Sequence, residues 1–161
     1  MITLKAATVK DIELIRNLAT AIWHAHYIDI IGLQQVEYML DKMYDTQSLT
    51  KQLTEEGHQF YFIETKDAII GFISVSTSNQ KDYFIHKFYI QQTASAKGVG
   101  TITLNELTNL LKPKTYILTV NRQNYKSINF YFKNGFVINE VADFDIGNGY
   151  VMNDFVMKKM F

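Results

Sequence analysis

The 161-residue chain predicts an α+β fold: a central mixed, mostly antiparallel, twisted sheet flanked by helices. Three observations carry this reading. Runs of helix-like and strand-like segments are mixed along the chain, a turn at Lys66-Asp67 folds two strands into a hairpin, and the length suits a single domain over 1–161. Residues 2–6 read as a short strand. Thr8 is followed three residues on by Asp11, an N-cap signature, and Ile12, Ile15, Leu18, Ala19 and Ile22 then recur at helical spacing. Val36, Met39, Leu40 and Met43 repeat that spacing in a helix over 34–44, and a shorter helix over 48–56 ends at Gly57. Segments 59–65, 68–77 and 83–91 are β-branched and aromatic, which predicts three strands. A helix over 98–111, with Ile102, Leu107, Leu110 and Leu111 on one side, stops before Pro113. A strand over 116–121 leads to a helix over 124–134 that Gly135 closes in a left-handed cap. Strands over 136–141 and 150–158, joined by a loop containing Gly-Asn-Gly, complete the chain.

Composition narrows the function classes. Hydrophobic residues make up 47% and charged residues 20%, ordinary for a globular protein and contrary to global disorder. The absence of cysteine excludes a disulfide scaffold, thiolate metal sites and a cysteine nucleophile, and it fits a cytoplasmic setting. The first residues read as no signal peptide, and no run approaches the ~18–20 apolar residues that span a bilayer, so no membrane partner is expected.

Net charge is zero but uneven. Residues 94–134 carry six Lys/Arg against one Asp/Glu, while both flanks are acidic. That suggests a local anion site, too small for the basic stripe of a nucleic-acid binder. Within this segment, FYIQQTASAKGVGT runs from a strand through a loop into a helix opened by Gly98 and Gly100. Glycines there let backbone amides approach a ligand, the helix N-terminus favours an anion, and Lys97 adds a cation. The loop matches neither the Walker A nor the dinucleotide-binding glycine pattern.

The later segment TVNRQNYKSINFYFKNGF places Asn121 at a strand end and Asn124, Ser127, Phe130 and Tyr131 on the next helix, before Gly135-Phe136. Together the two segments resemble the GNAT superfamily of acetyl-CoA-dependent N-acetyltransferases, across residues 84–137. The sequence departs from that pattern at Ser95 and Ala96, where an Arg or Gln and a Gly are usual. Residues AIWHAHYIDIIGLQQVEYMLDKMY and the tail IGNGYVMNDFVMKKMF further resemble the PaiA-type spermidine/spermine acetyltransferases.

The resemblance implies a GNAT fold with acetyl-CoA as co-substrate. It implies that the backbone of Phe88, Tyr89 and Ile90 pairs with the pantetheine region and that Ala96, Lys97, Gly98, Val99, Gly100 and Thr101 wrap the pyrophosphate. Asn121, Asn124 and Ser127 would hold the pantetheine arm, and Tyr131 would protonate the leaving thiolate. A phenol with pKa near ~10 keeps its proton at pH 7. Without cysteine, direct attack in a ternary complex is favoured over an acetyl-enzyme.

The acceptor amine must be neutral when it attacks, and an alkylamine of pKa ~10.4 is neutral about once in 2,500 molecules at pH 7. His86 is a candidate base, since imidazole titrates near neutrality. Strand alternation puts it on the face of Phe88 and opposite Tyr89. Glu64 is a second candidate. His24 and His26 lack an evident third ligand, so no metal site is expected. Residues 24–56 hold six acids against two bases, and Asp29, Glu37 and Asp41 could draw a polycation. Trp23 and Tyr27, four apart on one helical face, either pack in the core or line an amine channel. The expected reaction is acetyl transfer to a small-molecule primary amine, a polyamine first. The alternatives are an amino acid, an antibiotic amine, a protein N-terminus, or a CoA-binding sensor without turnover. The Met- and Phe-rich last strand is a candidate for pairing across a homodimer interface.

Overall fold

A computed structural model describes residues 1–94 and 98–161. Its sheet has seven strands: β1 (Thr3–Ala6), β2 (Gln59–Glu64), β3 (Ile69–Thr77), β4 (Asp82–Ile90), β5 (Thr115–Asn121), β6 (Val137–Gly147) and β7 (Tyr150–Met160). They lie in the order β1-β2-β3-β4-β5-β7-β6. Every neighbouring pair is antiparallel except β4 and β5. The mixed, mostly antiparallel sheet flanked by helices is therefore present.

The helices cover both faces. On one side α1 (Ile12–His26), α3 (Leu33–Met43) and α4 (Thr46–Thr54) bury Ile15, Leu18, Val36, Met39 and Leu49 against Phe60, Phe62 and Phe72 of the sheet. On the other, α5 (Val99–Leu111) and α6 (Tyr125–Lys133) bury Leu104, Leu107, Ile128 and Tyr131 against Ile73, Ile85, Tyr116 and Leu118. Each fully buried side chain of this size stabilises by ~1.5–3 kcal/mol. The Thr8–Asp11 capping box forms as read, over a 3-10 turn at Val9–Asp11. The start of α4 is set by Asp45, whose Oδ1 accepts the Ser48 amide at 2.6 Å, two residues before the expected start. A single helical turn, α2 (Ile28–Ile31), also went unread, being too short to show periodicity.

Two sequence expectations fail for identifiable reasons. On α5 the buried residues are Thr103, Leu104 and Leu107, while Ile102 and Leu110 are 47% and 53% exposed. Residues 103, 104, 107 and 111 share a face at ~100° per residue, and 102 and 110 fall beside it. The terminal strands are also longer than read, forming one hairpin of two 11-residue strands about Asn148-Gly149. Much of β6 is exposed, so no apolar alternation marks its extent. Because β7 pairs with both β5 and β6, it has no free edge for an intersubunit strand pairing; the sheet edges are β1 and β6.

The feature that shapes the site is a divergence. β4 pairs with β5 only from Asp82 to Ile85, opposite Thr115 to Leu118. Beyond Ile85, β4 continues beside β3 alone, and beyond Leu118, β5 continues beside β7 alone. A bulge accompanies the split: Ser74 pairs with Lys87 and Val75 with Ile85, leaving His86 as an extra residue.

Candidate active site

The opening between β4 and β5 holds two adjoining cavities. The larger, about 250 Å³, is lined by Phe88, Tyr89 and Ile90 of β4, by Gly98, Gly100 and Thr101 at the start of α5, and by Lys126, Ser127 and Tyr131 of α6. The smaller, about 130 Å³, is lined by Trp23 and Tyr27, by β4 from Ile85 to Tyr89, by Asn121, Asn124 and Tyr131, and by Asp154. Tyr27, Phe88, Tyr89, Ser127 and Tyr131 border both.

Local sequence explains the geometry at the larger cavity. Gly98 is the N-cap of α5 at φ 93°, a left-handed conformation that glycine adopts without strain. Among the described residues no side chain caps this helix end, and Ile102 N bonds to Gly98 O. The amides of Val99, Gly100 and Thr101 therefore have no intrahelical acceptor. The N-terminus of a 13-residue helix, opening on a cavity with Lys126 on its wall, suits a pyrophosphate. The β4 stretch without a β5 partner offers backbone groups to an extended chain such as pantetheine. The residues present thus fit coenzyme A. Ala96 and Lys97 lie outside the described residues. Lys112 and Lys114 of the basic segment sit past the far end of α5, ~20 Å of helix away, so the charge run is not one patch.

Asn124 caps α6, its Oδ1 accepting from Ser127 N at 3.3 Å and from His26 Nε2 at 3.3 Å. That bond pins the end of α1 to the start of α6 across the cavity mouth. Burial pushes His26 down from the usual imidazole range, leaving it neutral at pH 7. Tyr131 is 8% exposed, its ring is set by Phe130 and Phe136, and burial holds its hydroxyl well above the usual phenol range. It enters the site protonated.

The smaller cavity is ringed by phenols. Trp23 stacks on Tyr27 at 4.5 Å between ring centroids, and Tyr89 meets both edge-on. Burial, neighbouring tyrosines and the Asp154 carboxylate all raise the Tyr27 and Tyr89 hydroxyls. Trp23 and Tyr27 thus belong to both the core and the cavity wall.

His86 borders the smaller cavity but does not face as alternation implies. The bulge turns His86 and Lys87 to the same side: His86 stacks on His58 at 3.9 Å, and Lys87 lies over Tyr44 and Phe60. Tyr89 also packs on that side, whereas Phe88 packs on Phe130 across the sheet. His86 Nε2 and Ser76 Oγ are joined by a 2.7 Å hydrogen bond. Burial first, then His58 and Lys87, push the imidazole down to about 3. Such a group is a poor proton acceptor at neutral pH. Glu64 pairs with Lys5 at 3.8 Å and lines neither cavity.

The acidic wall is likewise not assembled. Asp29, Glu37 and Asp41 are exposed and line neither cavity. Glu37 accepts from His24, whose imidazole this bond raises above its usual range. His26, read from sequence as lining a pocket or the surface, lines the larger cavity, and the group that sequence reasoning missed is Asp154. The sign for Asp154 was a lone carboxylate on the strand that pairs with the end of β5, opposite Asn121. Among the described residues no cluster of three or more His, Asp or Glu could hold a metal, and no helix is long and apolar enough to cross a membrane.

Comparisons with known proteins agree with this geometry. The chain is 23% identical over 167 residues to a spermidine N(1)-acetyltransferase of Thermoplasma acidophilum, covering 99% of this chain and 98% of that protein. Its fold matches the PaiA N-acetyltransferase of the same organism, solved with coenzyme A, at TM-score 0.80, 24% identity, and coverage of 100% and 99%. It also matches a GCN5-related N-acetyltransferase of Rhodopseudomonas palustris at TM-score 0.77, 17% identity, and coverage of 99% and 95%. The spermidine/spermine N-acetyltransferase SpeG of Vibrio cholerae matches at TM-score 0.67, 18% identity, and coverage of 99% and 95%. Residues 28–152 match the acetyltransferase (GNAT) domain family, and the chain belongs to that family of acetyl-CoA-dependent N-acetyltransferases.

Proposed function

We propose that this acetyltransferase acetylates a primary alkylamine, with a polyamine such as spermidine or spermine as acceptor, by direct attack in a ternary complex. The observation that carries this reading is the pair of adjoining cavities with Tyr131 at their junction. One cavity starts at a glycine-opened helix end suited to a pyrophosphate, and the other is an aromatic chamber holding one carboxylate. The likeness over 99% of the chain to a spermidine N(1)-acetyltransferase supports the acceptor class.

In this reading Gly98, Val99, Gly100 and Thr101 hold the pyrophosphate through backbone amides. Phe88, Tyr89 and Ile90 align the thioester arm, and Asn121, Asn124 and Ser127 fix its far end. Tyr131 donates its proton to the departing sulfur. The exposed acids Asp29 and Asp41 lie outside the cavities and at most draw a polycation toward them.

The test is thiol release from acetyl-CoA with spermidine, spermine, lysine, an aminoglycoside and a short peptide as acceptors. Release with a polyamine well above the others is the expected result. Faster release with the peptide or the amino acid would overturn the acceptor class. No release with any of them would remove the amine-transfer reading.

A further inference from the structure

Asp154 sits on β7 opposite Asn121, on the wall of the smaller cavity, and is 2% exposed. Its Oδ1 is buried without a hydrogen-bond partner. Buried acceptors left unpaired are rare in folded proteins and destabilise them, so an orphan carboxylate oxygen on a cavity wall points to a ligand donor. The surrounding wall says which kind. Tyr27 and Tyr89 present aromatic rings, and Met39 and Met152 add thioether surface. A carboxylate within an aromatic and aliphatic lining complements an ammonium on an alkyl chain.

Building on the acetyl-transfer reading above, we propose that Asp154 receives the acceptor amine: its carboxylate binds the ammonium and takes the proton that must leave before attack. The amine lone pair then forms the C–N bond to the thioester carbon, and the C–S bond breaks. Tyr131 gives its hydroxyl proton to the sulfur, and the second proton of the attacking nitrogen restores the phenol. Asp154 passes its proton to water, so each turnover yields the amide, the free thiol and one proton.

The charged and titratable neighbours permit this. From β5 the Thr119 hydroxyl, and after it Arg122, hold the carboxyl down, while Asp143 of β6 and burial lift it, burial most, to about 6. Tyr27, Tyr89 and Tyr131 face it from α1's end, β4 and α6 as neutral phenols. On β4, His86 is neutral at pH 7 and the Lys87 ammonium donates to Gln52 Oε1 at 2.8 Å. Arg122 is itself paired with Asp143 at 2.8 Å. At pH 7 Asp154 is mostly ionised and basic enough to accept a proton.

The experiment compares the full-length wild type with Asp154→Asn and Asp154→Glu. First, kcat/KM for spermidine is measured from pH 5 to 9.5. The wild type should lose activity below a break near pH 6. Asp154→Asn should fall by roughly 10²-fold or more at pH 7, lose that break, and recover toward high pH as the free amine becomes abundant. Asp154→Glu should restore part of the rate, and all three proteins should bind CoA equally. Second, spermidine is titrated calorimetrically into each CoA-saturated protein, where Asp154→Asn should bind at least roughly tenfold more weakly. Asp154→Asn with wild-type kcat/KM, or with the same acid break, overturns the proposal. If the wild type turns over and Asp154→Asn matches it, only the role of Asp154 falls. If no amine supports thiol release yet spermidine binding still depends on Asp154, the transfer reading falls and the amine site stands.

Discussion

In the proposed reaction Tyr131 and Asp154 divide the proton chemistry between them, and their burial suits each to its part. The phenol is lifted far enough to stay protonated, and the carboxyl is lifted to about 6, so it is still ionised at pH 7. Tyr131→Phe should lower kcat by ~10²–10⁴-fold while leaving CoA affinity unchanged, as measured by steady-state kinetics and CoA titration. An unchanged kcat would remove the phenol from the reaction. The Asp154 carboxylate also has a stability consequence. Its folded pKa exceeds the unfolded value, so its contribution is fully present below the unfolded pKa and is lost as pH rises through about 6. At pH 7.5, Asp154→Asn should therefore be more stable than the wild type by ~1–3 kcal/mol in urea denaturation. Stability gained together with activity lost marks a residue retained for function. Tyr131 was legible in sequence because it sits in a recognisable run of the α6 segment. Asp154 was not, because its importance comes from burial opposite Asn121, which depends on how β7 pairs with β5.

At the scale of elements, the site is made by what β4 does not do. Leaving β5 after Ile85 opens the cleft, and the bulge at His86 accompanies the departure. Strand alternation assigns His86 to the face of Phe88, and one inserted residue reverses that relation. No residue type in the sequence marks the insertion, so the face of His86 was illegible. On the other side of β4, Gly71 of β3 lies opposite Ile90, and a Cβ there would stand 2.0 Å from the carbonyl oxygen of Tyr89. That contact is with backbone and cannot be relieved by a rotamer change. Gly71→Ala should push β4 toward the cleft, lower stability by ~1–3 kcal/mol and weaken CoA binding, both read by denaturation and titration. The helix starts at Thr8 and Asn124 were legible because their side-chain acceptors serve neighbouring amides. The buried face of α5 was misread because Ile102 and Leu110 flank it while Thr103, a polar type, lies buried in it with its hydroxyl donating to Val99 O.

For the whole molecule, the largest shifts in the acid range belong to two imidazoles and one opposing carboxyl. His58 and His86 are stacked across the sheet and pushed down to about 4 and about 3, burial acting first and Lys87 adding to both, with Glu56 opposing at His58. The unfolded chain binds these protons first, so their contribution to stability is complete above ~6.5 and falls as pH drops toward 4. Asp154 works in the opposite sense between about 4 and 6, but the two imidazoles outweigh it. Urea midpoints should decline between pH 6.5 and 4, and His58→Phe should flatten that decline. An equal slope in the variant would exclude the stack as its source. The fold class was legible because helix and strand runs announce themselves along the chain, and the helix start at Gly98 marked one end of the site. The acidic residues of 24–56 misled because charge density in sequence does not say which face of a helix borders a cavity; Asp29, Glu37 and Asp41 all point to solvent. The most direct test of the account is a crystal structure with CoA and spermidine bound together. The account predicts the pyrophosphate on the amides at the start of α5, the sulfur beside the Tyr131 hydroxyl, and a primary amine of spermidine against the Asp154 carboxylate. A thiol lying outside the β4–β5 opening, or an amine held on the outer face by Asp29 and Asp41, would contradict it.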